Sequence, residues 1–440
     1  MTWWVLLSGG VAMLLALLFL GIPIFVSFLI LNVAGLLYLI GPHGFGMFAN
    51  SIFTTANIAE LAAVPLFILM GELLFRSGAM EVVLDSLDRL VGKIRGRQYV
   101  LCIILSAILG ALSGAAMAVA GLLGRSLFPT MRKRGYDVQM SAGTLLGGAS
   151  LDPIIPPSVL AIIIATLAKV STGQMLIAGI LPGLMLTGMF LVYVFIRLRL
   201  NPALAPDVSA DLTDETTRGS ALAALLRLVP VSVIFFLVVG LIMLGVATPT
   251  ESEASGVIGA LMLAKYYGGL DMKMIREGLL SAVTVAGLLL IVMCCATMFS
   301  QLLTFSGAVR KLGEIVLELG WPPGMMLFAM LAMPFVLFLF LDSTSVLMVL
   351  IPIYLPIIGV YGFDSIWFWT LILVVATVGA LSPPFGYTLF AFKSAVPDMP
   401  MRDIFRAAWP YVWIITFGIL LMALFPGIIT FLPNFMAGKS

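Results

Sequence analysis

Charge is scarce in this chain, and histidine scarcer still. Asp, Glu, Lys and Arg together make up 10% of the 440 residues, against about 25% in an ordinary soluble protein. Hydrophobic residues make up 62%, so the chain cannot cover itself with polar surface in water, and its main solvent is lipid. That excludes the roughly three soluble domains that length alone implies. A net charge of +2 points to neither nucleic acid nor a strongly acidic partner. The single histidine, His43, builds no metal or acid–base cluster and reads as a loop residue. Three cysteines, Cys102, Cys294 and Cys295, lie in apolar runs as small core residues, with neither a disulfide framework nor metal spacing. A nucleophile with a credible base and a phosphate loop are both missing, so no enzymatic activity is expected.

What is present is a series of apolar runs. A bilayer core of about 30 Å needs about 20 apolar residues in a helix. Runs free of Asp, Glu, Lys and Arg cover 1–59, 98–124, 170–196, 228–250, 278–309, 319–341, 343–363, 365–392 and 407–438. Gly21-Ile22-Pro23 cuts the first into two crossings, and the lack of Lys or Arg ahead of it argues against a cleaved signal peptide. Helices are also expected near 176–196, 228–247, 254–268 and 278–300, for about ten to twelve crossings in all. Basic residues cluster at Arg89 to Arg97, Arg132 to Arg134, Arg197 to Arg227, Lys265 to Arg276, and Arg402 with Arg406. The positive-inside rule places these loops in the cytoplasm, with Arg310 and Lys311 sitting badly. An even number of crossings must then separate Arg97 from Arg132, so the segment of about 98–131 enters and leaves on one side as a re-entrant hairpin turning near Gly110 to Gly114. Such a turn at membrane depth requires cover by protein or a polar cavity.

The chain repeats itself. Pro129, Gly135, Asp137, Pro156 and Pro157 recur, 227 residues on, as Pro356, Gly362, Asp364, Pro383 and Pro384. Ser77-Gly78-Ala79 recurs as Ser306-Gly307-Ala308 at an offset of 229, where Ser113-Gly114 faces Asp342-Ser343. Each half runs from an amphipathic stretch (79–97 and 308–320) to a hairpin, then to an apolar segment broken by Pro-Pro. Five crossings separate the halves, so the second enters from the opposite face. Inverted repeats with broken helices near mid-membrane mark secondary transporters. The fold expected is therefore an all-α polytopic membrane protein, an inverted repeat with two re-entrant hairpins and two Pro-Pro-broken helices. Its segments are N-terminal scaffold helices (1–57), a first repeat (58–200, hairpin about 98–131, broken helix about 141–168), a cytoplasmic linker (201–227), connecting scaffold helices (228–283) and a second repeat (284–432, hairpin about 322–361, broken helix about 365–393).

The breaks carry the chemistry. A proline costs about 3 kcal/mol inside a helix. Two in a row, in Ile154-Ile155-Pro156-Pro157-Ser158 and Leu381-Ser382-Pro383-Pro384-Phe385, unwind the segment and bare carbonyls that suit a dehydrated Na⁺; a packing kink is the plainer reading. Asp342 stands alone between two charge-free runs, followed by Ser343, Thr344 and Ser345. A carboxylate in hydrocarbon costs about 2.5–3.5 kcal/mol on insertion scales, so it faces a polar interior, as a cation or proton site, as a helix cap, or as both. Asp152, just before the first Pro-Pro, has the same two readings. Other charges read as structural: Glu72 with Arg76 as an i,i+4 pair, Thr250 to Glu253 as a capping box, Arg125 and Lys393 as snorkelling cations. Trp3, Trp4, Trp367, Trp369, Trp409 and Trp413 suit interfacial belts. No arginine sits at a hairpin turn to clamp a carboxylate.

Several blocks together carry a resemblance. Val64-Pro65-Leu66-Phe67-Ile68-Leu69-Met70-Gly71-Glu72, Ile154 to Ser158, Ala178-Gly179-Ile180-Leu181-Pro182-Gly183, Ala247-Thr248-Pro249-Thr250-Glu251 and Ser382-Pro383-Pro384-Phe385-Gly386 resemble the large membrane subunit of tripartite ATP-independent periplasmic (TRAP) transporters. The resemblance spans about residues 60 to 410. It implies an elevator-type Na⁺ symporter in the bacterial inner (cytoplasmic) membrane, importing a small organic acid. Its implied partners are a periplasmic substrate-binding protein and a small four-helix membrane subunit, not fused here. Na⁺ is the implied coupling ion, with no other cofactor. By resemblance it lies between each hairpin turn and the opposed break, on backbone carbonyls near Ser113, Asp152 and Pro157 and near Asp342, Gly379 and Ser382. The whole region takes in Ser113, Gly114, Asp152, Ile155, Pro156, Pro157 and Ser158, and Asp342 to Ser345 with Gly379, Ser382, Pro383 and Pro384. Two departures stand out. The first hairpin turn, Ser113-Gly114-Ala115-Ala116, is less polar than the family's, and Asp152 stands where the family usually has Gly. A carboxylate there can strengthen cation binding, accept a proton in place of Na⁺, or pair with a base. The alternatives are a stand-alone Na⁺- or H⁺-coupled dicarboxylate symporter, a passive channel and, from another class, an intramembrane enzyme, against which the missing nucleophile, base and metal cluster speak.

Overall fold

The computed structural model describes residues 3–91, 94–113, 116–207, 221–267, 269–384 and 386–438. Gly114 of the first hairpin turn, Phe385 of the second break and residues 208–220 of the linker lie outside the described residues, as do the side chains of Ser113, Trp3 and Trp4. Every regular element among the described residues is helical.

The first apolar run breaks at Gly21, in the left-handed region at φ 78°, and Pro23, which separate α1 (Trp3–Phe19) from α2 (Ile24–Leu39). Two helices do not exhaust that run. A turn at Gly41 (φ 80°) and Pro42 starts a third, α3 (Phe45–Ala56), which meets α4 (Ala63–Arg76) after a 60° bend. The amphipathic α5 (Ala79–Leu90) follows. Then come α6 (Arg97–Ser113) and α7 (Ala116–Lys133), the two arms of the first hairpin segment. The first broken segment folds as α8 (Val138–Ala149) and α9 (Val159–Ala168), followed by α10 (Thr172–Ala178) and α11 (Ile180–Leu200).

Across the linker, α12 (Ala221–Phe235) runs through a π-helical turn at Phe236–Gly240 to Met243, and α13 (Pro249–Tyr266) and α14 (Met272–Phe305) complete the middle of the chain. The second half repeats the order of the first. It comprises α15 (Ala308–Glu318), the hairpin arms α16 (Pro323–Phe338) and α17 (Ser343–Tyr361), the broken pair α18 (Ser365–Leu381) and α19 (Tyr387–Ala395), then α20 (Met401–Leu424) and α21 (Gly427–Met436). Among the described residues, five helices are long and apolar enough to cross a bilayer singly, Thr172–Leu200, Leu222–Met243, Met272–Phe305, Ser343–Tyr361 and Met401–Leu424. The other apolar runs fold as shorter pieces of 10–17 residues, because the breaks divide them.

The repeated residues do the same local work in both halves. Gly78 and Gly307 both take left-handed φ, at 78° and 74°. Ser77 Oγ donates to the Leu74 carbonyl and accepts from Ala79 N–H; Ser306 Oγ does the same with Leu303 and Ala308. Gly135 and Gly362 turn at φ 83° and 63°. Asp137 then caps α8 by accepting from Met140 N–H at 2.8 Å, and Asp364 caps α18 from Trp367 N–H at 2.7 Å. Packing crosses between halves in matched pairs: α7 lies on α19 and α17 on α9, while α6 lies on α8 and α16 on α18. Around this inner group the helices α2, α3, α4 and α13 pack on or beside α14 and α4.

Two structural assignments move. The box that opens α13 is Thr248 with Glu251, not Thr250 with Glu253. Thr248 Oγ1 accepts from Glu251 N–H, and the Glu251 carboxylate accepts from Thr248 N–H at 2.8 Å. Pro249, with its preset φ, starts the helix at N1 and so fixes the earlier register. Trp367 and Trp369 are core residues rather than interfacial ones, 8% and 0% exposed, with Trp367 Nε1 donating to the Met422 carbonyl at 3.0 Å. Trp409 and Trp413 are exposed and stacked at 6.0 Å, as an interfacial belt requires. Lys393 donates to the Pro397 and Met399 carbonyls, so it ties down the loop after α19 instead of snorkelling.

Candidate functional site

Between α4 and α14 on one wall and the two broken-helix units on the other lies a cavity of about 880 Å³. Asp152, Ser158, Asp342, Ser343 and Thr344 all line it, so the structure brings the first break and the second hairpin to one space. Each arrives by an identifiable local cause.

Residues 150–158 are non-helical, and α9 restarts at Ser158, whose Oγ accepts from Ala161 N–H at 3.2 Å and donates to the Pro153 carbonyl at 2.6 Å. The break is seated on α10 and α11 through two glycines. A Cβ at Gly179 would collide with the Ile154 carbonyl oxygen, and one at Gly183 would lie 2.6 Å from Ile155 Cγ1. Ile155 is thus a packing residue against α11 and does not line the cavity. Pro156 and Pro157 are buried behind it; the Pro156–Pro157 and Pro383–Pro384 peptide bonds are both cis.

Asp152 is 7% exposed. Its Oδ2 accepts from Ala116 N–H at 3.1 Å, at the start of the second hairpin arm. Its Oδ1 is buried without a hydrogen-bond partner among the described residues. A buried polar oxygen left bare costs about 1–3 kcal/mol, and more when charged. It is therefore a natural ligand for a cation. Asp342 is exposed to the cavity and at the same time caps α17, accepting from Ser345 N–H at 2.9 Å and from the Ser345 hydroxyl. Cap and cavity-facing group are one residue. Ser345 itself does not line this cavity but a separate apolar one against α1.

The remaining expected residues sit behind the lining. Gly379 is packed against the hairpin, where a Cβ would lie 2.8 Å from the Phe338 carbonyl oxygen. Ser382 Oγ is buried and unpartnered among the described residues. Pro383 is half-buried and Pro384 exposed, neither lining the cavity. Ser113 ends α6; Gly114 is beyond what the structure describes.

Adding 227 to 152 gives 379, so Asp152 and Gly379 occupy one repeat position. Both abut their hairpin closely, which requires a small residue on one side. In the second half that residue is Gly379 itself. In the first it is Gly110 on the hairpin, whose Cβ would lie 3.2 Å from Asp152 Cα. The change of side leaves position 152 free to carry a carboxylate.

Two lining residues are not legible in the sequence as site residues. Tyr387, which opens α19, lines the cavity together with Asp152, Asp342 and Ser343. Its position just past the second Pro-Pro is the available signal. Arg76 with Glu72 also lines the cavity, and Arg76 Nε donates to Glu72 at 2.9 Å. Glu253, expected as part of a cap, is instead fully buried with neither oxygen partnered among the described residues, away from the cavity lining.

Comparison with known proteins agrees with this architecture. The sequence model of one family, described as "Tripartite ATP-independent periplasmic transporter, DctM component", matches residues 11–428. The C4-dicarboxylate TRAP transporter large permease protein DctM of Pseudomonas aeruginosa is 29% identical over 401 residues, covering 90% of this chain and 92% of its own. The sialic acid TRAP transporter large permease protein SiaM of Vibrio cholerae is 27% identical, covering 98% and 99%. The ectoine large permease protein TeaC of Halomonas elongata is likewise 27% identical, covering 96% and 98%. Among solved structures, the YdaH transporter of Alcanivorax borkumensis superposes with a TM-score of 0.61 at 15% identity, covering 88% of this chain and 90% of that one, a likeness of fold.

Proposed function

The chain belongs to the DctM family of TRAP transporters, as the large membrane subunit, and from that premise we propose that it imports a small carboxylate by Na⁺ symport. The observation that carries this reading is the single cavity joining Asp152 of the first break to Asp342 of the second hairpin. Na⁺ is cargo here, the co-substrate. Asp152 Oδ1, bare and buried, supplies one anionic oxygen toward it, and Asp342 supplies another from the opposite repeat. With two carboxylates facing it, the cavity accepts an anion only after cations have entered, which is the physical basis of coupling. The substrate class follows the names of the relatives, a C4-dicarboxylate and a sialic acid among them.

The cavity lies where α4 and α14 meet the inner group of helices. A sliding of that group past α4 and α14 would carry both ion places and the substrate together, as in an elevator. A small membrane subunit and a periplasmic binding protein complete the assembly, and the clusters of basic residues orient it in the inner membrane. In vesicles reconstituted with both partners, uptake should depend on an inward Na⁺ gradient. Uptake indifferent to Na⁺ but driven by a proton gradient would remove the sodium part. Uptake by this chain alone would favour the stand-alone symporter.

A further inference from the structure

We infer that Arg76 is the carboxylate-recognising residue of the transport cavity, held ready by two glutamates. The inference rests on the carboxylate reading above and names the group that receives the substrate. Among the described residues lining the cavity, Arg76 is the one cation, set against Glu72, Asp152 and Asp342. An anion entering such a space needs a positive partner besides the co-transported ions.

The guanidinium is fixed from behind. Nε donates to Glu72 on its own helix, one turn back, and Nη1 donates to Glu277 on α14. Glu72 is itself held by the Ser281 hydroxyl at 2.9 Å. Those bonds use two of five N–H donors, and the side chain is 35% exposed, which leaves the Nη2 edge for a ligand. Anchored through Nε and Nη1, the guanidinium offers its Nη2 N–H groups to a carboxylate without ordering a flexible chain on arrival. Because α4 and α14 belong to the wall opposite the ion places, the substrate bridges the two walls. Ions contact only the inner group.

A purely structural role, stapling α4 to α14, makes a different prediction. Uptake kinetics should be measured for native protein, Arg76→Gln and Glu277→Gln, in vesicles with both partner proteins. The probes are radiolabelled succinate and N-acetylneuraminate, with the Na⁺ concentration dependence recorded alongside. Recognition by Arg76 predicts that Arg76→Gln raises the KM for the transported acid about 10- to 100-fold, the effect of losing a charge-assisted bond. The Na⁺ concentration for half-maximal uptake should stay within about twofold. Glu277→Gln, which weakens one anchor of the guanidinium but keeps its charge and the Glu72 anchor, should raise the KM only a few-fold, well short of the loss in Arg76→Gln. Equal losses in Arg76→Gln and Glu277→Gln would identify a staple and overturn the inference, as would an unchanged KM in Arg76→Gln. If the native protein moves neither acid, the carboxylate reading itself fails and this inference with it; Na⁺-driven uptake with an indifferent Arg76 sinks only the inference.

Discussion

At the scale of single residues, buried polarity divides into groups that the proposed chemistry uses and groups it does not. Asp342 is both cap and cavity-lining group, and on the proposed function Asp342→Ala should abolish Na⁺-coupled uptake while the protein still inserts in the membrane; normal uptake by that variant would remove Asp342 from the site. Glu253 stands apart, fully buried and unpartnered among the described residues, away from the cavity lining. Its carboxyl is a cost of folding, and Glu253→Gln should hold or raise the melting temperature of the purified protein, by the equivalent of about 1–3 kcal/mol if the native group is charged. A fall in melting temperature would show that the carboxyl has a partner. Asp342 is legible in the sequence because charge inside an apolar run cannot be excused. Arg76 is not, because an i,i+4 pair with Glu72 explains it locally and nothing in the spacing shows that both face a cavity.

At the scale of elements, the repeat explains most of what can be read. Gly78, Gly135 and Asp137 recur because a left-handed turn and a helix cap are needed at those places in both halves. Residue type there follows from backbone geometry, so a sequence carries it. Tryptophan placement does not: Trp367 and Trp369 lie in a helix buried on all sides, and whether an aromatic faces lipid or protein depends on packing from α16, α20 and α10. Spacing alone puts the capping box of α13 two residues late, because Thr248 and Thr250 both precede a glutamate at the right distance, and Pro249 decides between them. Thr248→Ala should cost about 1 kcal/mol of stability, measured by thermal unfolding, whereas Thr250→Ala should cost little. Gly179→Ala should be harsher, since its Cβ meets the Ile154 carbonyl and must displace the first break. Loss of uptake with retained expression is the outcome expected.

At the scale of the whole molecule, the proposed sliding motion predicts which links are harmless. Gly124 on α7 and Ala395 on α19 lie within the inner group, and a Cβ at Gly124 would stand 3.0 Å from the Ala395 Cβ. A Gly124→Cys/Ala395→Cys disulfide in a chain lacking Cys102, Cys294 and Cys295 should therefore leave uptake largely intact. Leu61 and Ile163 share one buried cluster across the boundary between the groups. Joining Leu61→Cys to Ile163→Cys with a short bifunctional reagent should stop uptake, reversibly if the reagent is cleavable. Uptake surviving the second link would rule out relative movement of the two groups.

The glycine that lies on the hairpin in one half and on the broken helix in the other makes the two repeats unequal as places to vary. Position 379 is closed, because any side chain there strikes Phe338, whereas position 152 is open, because Gly110 has stepped back to make room. If the proposed ion places are right, a changed ligand can be written into the first repeat by a single substitution and into the second only by rebuilding its hairpin. A designer wishing to change the ion proposed to drive this protein has one editable half.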